Sequence, residues 1–239
     1  MESLLQKITN PKRLILWLGR ISSRYSNKTQ RSKEYEILAK SFNNESPKVK
    51  KLVNEMLESY KKYTQKHGKD SLYPIHSGMN AKKLTFLYNI IKKLKPEVCV
   101  ETGVANGFST TVILLALAGN KKGKLYSIDI CYKPTGVLIP ERLRKRWVLV
   151  EGLIKPKLKE LVDRIERVDF FLHDGSHTYK DMLFDYSTIW ARTPQKSVLV
   201  SDDVNYNDAF LDFSDMHNQK GEIFEMDKKF MGLIRKKSF

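Results

Sequence analysis

Carboxylates recur in this chain at the ends of short apolar runs. Glu101 closes VCVE, Asp129 closes KLYSID, Asp174 follows FFLH, and Asp202 and Asp203 close SVLVSDD. Two kinds of chemistry are open to them. Gly103 and Gly107 lie just past Glu101, and a helix start carrying Ser109 and Thr110 follows. Glycines let backbone approach a ligand closely, and free N–H groups at a helix start donate to it. A carboxylate at position 101 repels a pyrophosphate but suits a cation or the amino group of a zwitterion. Asp129 lies 22 residues past Gly107, near the spacing at which an acid binds a ribose hydroxyl pair in nucleotide folds. Asp174, Asp202 and Asp203 are different. Converging carboxylates repel unless a shared proton or a cation neutralises them, and hard oxygen ligands suit Mg²⁺.

Only a parallel sheet brings strand-end groups to one crevice, because ligands there sit beyond the carboxyl ends of the strands. The pattern predicts such a sheet. VCV (98–100) is a short apolar run of the kind buried on both faces, and Pro96 stops the preceding helix. From there strands and helices alternate: a helix over 108–118, then strands KLYSIDI, WVLVEG, VDFFLHDG and SVLVSDD, with a helix over 179–191. A helical stretch around NDAFLDF follows, and GEIFEM and FMGLIRK form a closing hairpin across 227–229. The expected fold is α/β, a mostly parallel seven-stranded sheet ending in an antiparallel hairpin. Ahead of it, Ser46 and Pro47 read as the cap and first position of a helix that Gly68 ends, and 81–95 reads as a second helix. Residues 1–33 suggest two short basic amphipathic helices broken at Asn10-Pro11. These helices could lie on a membrane surface, or pack on their own domain or a partner subunit. The chain is therefore divided into a basic helical extension, 1–75, and a catalytic domain, 76–239.

Glu101, Gly103, Ala105 and Gly107 resemble the first motif of class I S-adenosylmethionine-dependent methyltransferases, an acid followed by Gly-x-Gly-x-Gly, with Ala105 at the middle glycine. The resemblance runs over about 75–239 and includes the terminal hairpin. It implies a Rossmann-like methyltransferase fold and S-adenosylmethionine as cofactor. It also implies cofactor contacts from Met79, Ser109, Asp129, Asp174 and the turn at Gly152. Asp174, Asp202 and Asp203 fall on positions that hold the metal in catechol-type O-methyltransferases and in related bacterial enzymes acting on antibiotics and sugars. Asp203 stands where the catechol enzymes have Asn. His177, three residues past Asp174, falls where those enzymes place a general-base lysine, and a histidine can take a proton from an acidified hydroxyl. Capping the next helix and touching the cofactor are the other readings of His177. The implied activity is Mg²⁺-assisted methylation of a small-molecule or sugar hydroxyl, with Asp174 and His177 as catalytic residues.

Composition sets the outer limits. The 239 residues are 41% hydrophobic and 29% charged, with two cysteines, Cys99 and Cys131, expected to be reduced thiols in a cytoplasmic protein that can also sit at the membrane periphery. No apolar run approaches a membrane span, and Leu14–Leu18 is too short for a secretory core. Of the net charge of +16, residues 1–70 supply 16 basic against 7 acidic side chains. That charge fits acidic partners or a solvated basic face. Nucleic-acid methylation is disfavoured because HDGSH stands where base-amino methylases carry Asn/Asp-Pro-Pro-aromatic. A binding-only module is disfavoured because every acid is present. A nicotinamide dehydrogenase is disfavoured by the glycine spacing and the hairpin. Homo-oligomer contacts and acceptor choice are assigned to the N-terminal extension.

Overall fold

The computed structural model describes residues 39–75 and 79–237. The expected membrane-contacting helices of 1–33, and His76, lie outside the described residues. In chain order the elements are β1 (Ala39–Ser41), α1 (Pro47–His67), α2 (Ala81–Leu94), β2 (Val98–Thr102), α3 (Phe108–Asn120) and β3 (Lys124–Asp129). Next come α4 (Glu141–Arg144), β4 (Trp147–Glu151), α5 (Ile154–Arg164), β5 (Phe170–His173) and α6 (Tyr179–Trp190). The chain closes with β6 (Val198–Asp202), α7 (Ala209–Met216), β7 (Gly221–Met226) and β8 (Lys229–Arg235).

The sheet order is β1-β7-β8-β6-β5-β2-β3-β4. Strands β2 to β6 run parallel, and β8 is antiparallel to both neighbours. The chain builds outward from β2 through β3 to β4, then returns to place β5 beside β2. That reversal is the topological switch point where a crevice opens beyond the strand ends. The sheet has eight strands instead of the expected seven. The addition is β1, three residues (AKS) pairing in parallel with the edge strand β7. A three-residue stretch with no apolar alternation carries no strand signal, and its pairing comes from the open edge of β7.

Alternation along the buried strands divides the core. Cys99, Phe170, Leu172, Val198 and Val200 pack toward α1, α2 and α3. Val100, Phe171 and Leu199 pack toward α5, α6 and α7. Helix α3 is apolar nearly all round (FSTTVILLALAGN) and is correspondingly buried from Phe108 to Leu114. Helix α1 starts at Pro47 after Ser46 and ends at Gly68 (φ 96°), and it buries Val49, Leu52 and Met56 in the same core. The last hairpin turns at Asp227 and Lys228, both left-handed (φ 56° and 61°), the backbone of a tight two-residue hairpin built without glycine. Among the described residues no helix is long and apolar enough to cross a membrane.

Candidate active site

The crevice at the β2/β5 switch point is a cavity of about 410 Å³, within the usual size range of ligand pockets. Met79, Gly103, Ala105, Ser109, Asp129, Asp174 and His177 all line it. Glu101, Gly107, Gly152, Asp202 and Asp203 do not. Sequence reasoning passed over Tyr73, Val104, Asn106, Phe108, Ile130 and Ile154, which also line it. Asn106 donates to the Tyr73 carbonyl (2.8 Å) and accepts from the Tyr73 N–H (3.2 Å), so the loop before α2 is pinned to the glycine loop. The sequence offered one clue to this: an asparagine between two glycines is well suited to bonding loop backbone.

The glycine loop is shaped from below. Gly103 has φ +85°, and a Cβ there would sit 2.0 Å from the Asp174 carbonyl oxygen. Only glycine lets β2 and β5 release their chains this close together. Asp129 ties the loop down: one oxygen accepts from the N–H groups of Val104 (2.7 Å) and Ala105 (3.0 Å), the other from Cys131 (2.8 Å). It is 6% exposed and lines the cavity. Its remaining acceptor capacity is what a ribose hydroxyl pair needs.

Glu101 sits one layer deeper. Its carboxylate accepts from the hydroxyls of Ser109 (2.6 Å), Thr110 (2.8 Å) and Ser127 (2.7 Å), and it is wholly buried. Burial raises its pKa to about 7, against the lowering effect of the three hydroxyls. Gly152 turns the chain behind Asp129, donating to its carbonyl (2.9 Å).

At the other end of the cavity, Asp174 has its pKa raised well above the ordinary value by burial and by the charge of Asp202. His177 Nε2 lies 4.0 Å from Asp174 Oδ1, and its ring lies 5.6 Å from that of Tyr206 and 5.7 Å from that of His173. Its Nδ1 is buried and has no hydrogen-bond partner. Burial, reinforced by His173, lowers its pKa to about 4, so the ring is neutral at physiological pH. His177 does not cap α6. Thr178 does, accepting from the Asp181 N–H at 3.3 Å. His173 is fully buried and bonds Asp185 through Nδ1 (2.9 Å), consistent with a structural role.

The expected Mg²⁺ site is not assembled. Among the described residues no three His, Cys, Asp or Glu side chains are placed to hold a metal ion. The physical reason is Lys83, a buried ammonium that pairs with Asp202 and with Asp203 (2.9 Å) and so occupies the oxygens assigned to the metal. The signal for Lys83 lay in its spacing. Lys83, Leu87 and Ile91 fall at i, i+4 and i+8 on the buried face of α2, where a lysine has to find a counterion.

Residues 100–204 match a family described as a methyltransferase domain. A comparison with curated proteins gives no match. Among solved structures, the chain is similar to an O-methyltransferase from Bacillus cereus in complex with S-adenosylhomocysteine, at 13% identity and TM-score 0.59 over 78% of this chain and 91% of that one. It is also similar to TomG from Streptomyces achromogenes, an O-methyltransferase of tomaymycin synthesis in complex with S-adenosylmethionine (14%, TM-score 0.59, 77% and 90%). A methyltransferase from Podospora anserina bound to S-adenosylhomocysteine is similar over 88% of this chain and 95% of its own (14%, TM-score 0.57). Sheet order, switch-point cavity and matched region agree: residues 100–204 match a methyltransferase domain, and the chain shares its fold with solved O-methyltransferases.

Proposed function

We propose that this protein transfers the methyl group of S-adenosylmethionine to a hydroxyl of a small molecule or sugar. The observation that carries the reading is one cavity lined at one end by the glycine loop and Asp129 and at the other by Asp174 and His177. When bound, S-adenosylmethionine supplies an electrophilic methyl group on a sulfonium centre. Asp129 would hold the ribose, and Gly103 to Asn106 together with Ser109 would line the backbone side of the cofactor. Phe108, Ile130 and Ile154 offer apolar surface suited to a purine. Glu101 acts from below by fixing Ser109 and Thr110 at the start of α3.

Acceleration in such a site comes from orientation and exclusion of water, with proton removal as a secondary contribution. His177 is neutral, buried at Nδ1 and close to Asp174, and it is assigned the proton of the acceptor hydroxyl. The O-methyltransferases with which the chain shares its fold favour a hydroxyl acceptor. The test is methyl transfer from labelled S-adenosylmethionine across a panel of hydroxylated metabolites. Transfer to at least one hydroxyl, reduced by about 10²- to 10⁴-fold in His177→Ala, is expected. Transfer to an amine or thiol alone would overturn the acceptor assignment.

A further inference from the structure

The acid pair that closes β6 is already neutralised from within the chain. Lys83 is 1% exposed and stands in the first turn of α2. Its backbone N–H is held by the Asn80 cap (2.8 Å), and Leu84 and Leu87 beside it are fully buried. This is a lysine fixed by its helix, unlike a solvated one that could swing away. Its Nζ donates to Asp202 and, at 2.9 Å, to Asp203. Asp203 takes a left-handed backbone (φ 45°, ψ 40°), a conformation acidic residues adopt more readily than most.

We infer that the Lys83 ammonium is the resident cation of this acid cluster, standing where a divalent ion would otherwise sit, so that the cofactor and acceptor sites assemble without a metal. Mg²⁺ demands carboxylate oxygens about 2.1 Å from the ion. An ion on the Asp202 and Asp203 oxygens would lie against the ammonium they already hold, with mutual repulsion. Removing the lysine would leave clustered acids uncompensated, the condition under which oxygen ligands recruit a cation. An ammonium has three donors, and two are spent on Asp202 and Asp203.

The inference concerns the site of the proposed methyl transfer but rests on Lys83 and the acids, and cation binding is read without turnover. The experiment is a calorimetric titration of the full chain with Mn²⁺, together with S-adenosylhomocysteine affinity measured with and without EDTA. Wild type is expected to show no saturable Mn²⁺ binding and an S-adenosylhomocysteine affinity that EDTA leaves unchanged. Lys83→Met is expected to gain saturable Mn²⁺ binding, at least about tenfold above wild type, and a melting temperature that Mn²⁺ raises. Saturable wild-type binding that disappears in Asp202→Asn would overturn the inference. A folded Lys83→Met that ignores Mn²⁺ would do the same. If Lys83→Met does not fold, the wild-type and Asp202→Asn titrations still decide. Failure to bind S-adenosylhomocysteine in every condition counts against the methyltransferase reading and leaves the Mn²⁺ result standing.

Discussion

Glu101 holds Ser109, Thr110 and Ser127 from beneath the glycine loop, and burial lifts its pKa from 4.5 to about 7. Between those two values the folded chain binds a proton that the unfolded chain has released, so stability falls as pH rises through that window and is level outside it. The gap corresponds to about 3 kcal/mol. Glu101→Gln removes the titration. Denaturant midpoints measured at pH 4.5 and pH 8 are expected to fall for wild type by much more than for the variant, and equal slopes would refute the assignment. His177 shows the opposite sign: with its pKa near 4, methyl transfer is expected to lack a histidine limb near the ordinary 6.5. Gly103→Ala places a Cβ 2.0 Å from the Asp174 carbonyl at positive φ. It is expected to cost about 1–3 kcal/mol in unfolding experiments and to lose cofactor binding. Type and position in the sequence singled out Gly103, Asp129 and Asp174, which line the cavity, together with Glu101, Asp202 and Asp203, which do not. The sequence did not show which oxygens were already taken, because the partners Ser127 and Lys83 come from distant segments.

The helices and strands themselves were largely legible. Pro47 and Gly68 bounded α1, although the Ser46 side chain makes no capping bond, and apolar periodicity placed α2, α3 and α6 within a few residues of their observed ends. Strand ends at Asp129 and Asp202 were readable because buried parallel strands give continuous apolar runs. Three elements were not read, α5 (Ile154–Arg164) and two short ones that share a reason. β1 has three residues and α4 four, and each is too short for a period to register. α1 and β1 bear on how the chain divides, since α1 contributes Val49, Leu52 and Met56 to the core shared with α2 and α3. If 39–75 folds together with the sheet, Leu52→Ala costs about 2–5 kcal/mol and shifts a single unfolding transition seen by every probe. An early, separate transition in the variant would show that α1 melts independently.

For the whole molecule, function follows from a single topological event. The chain runs outward from β2 to β4, returns to β5, and opens a crevice where Gly103 meets Asp174 and where Asp129 reaches across from β3. The glycine loop, its acidic anchor and the His177 end converge there although they come from three separate strand ends. The measurement that tests this most directly is calorimetric titration of S-adenosylhomocysteine into wild type and into Asp129→Asn. Asp129→Asn keeps the shape of the side chain while removing its charge and part of its acceptor capacity. Saturable one-to-one binding to wild type, weakened about tenfold or more in Asp129→Asn while the variant remains folded, is the predicted result. A folded wild type that does not bind S-adenosylhomocysteine, or a variant that binds it equally well, would contradict the account.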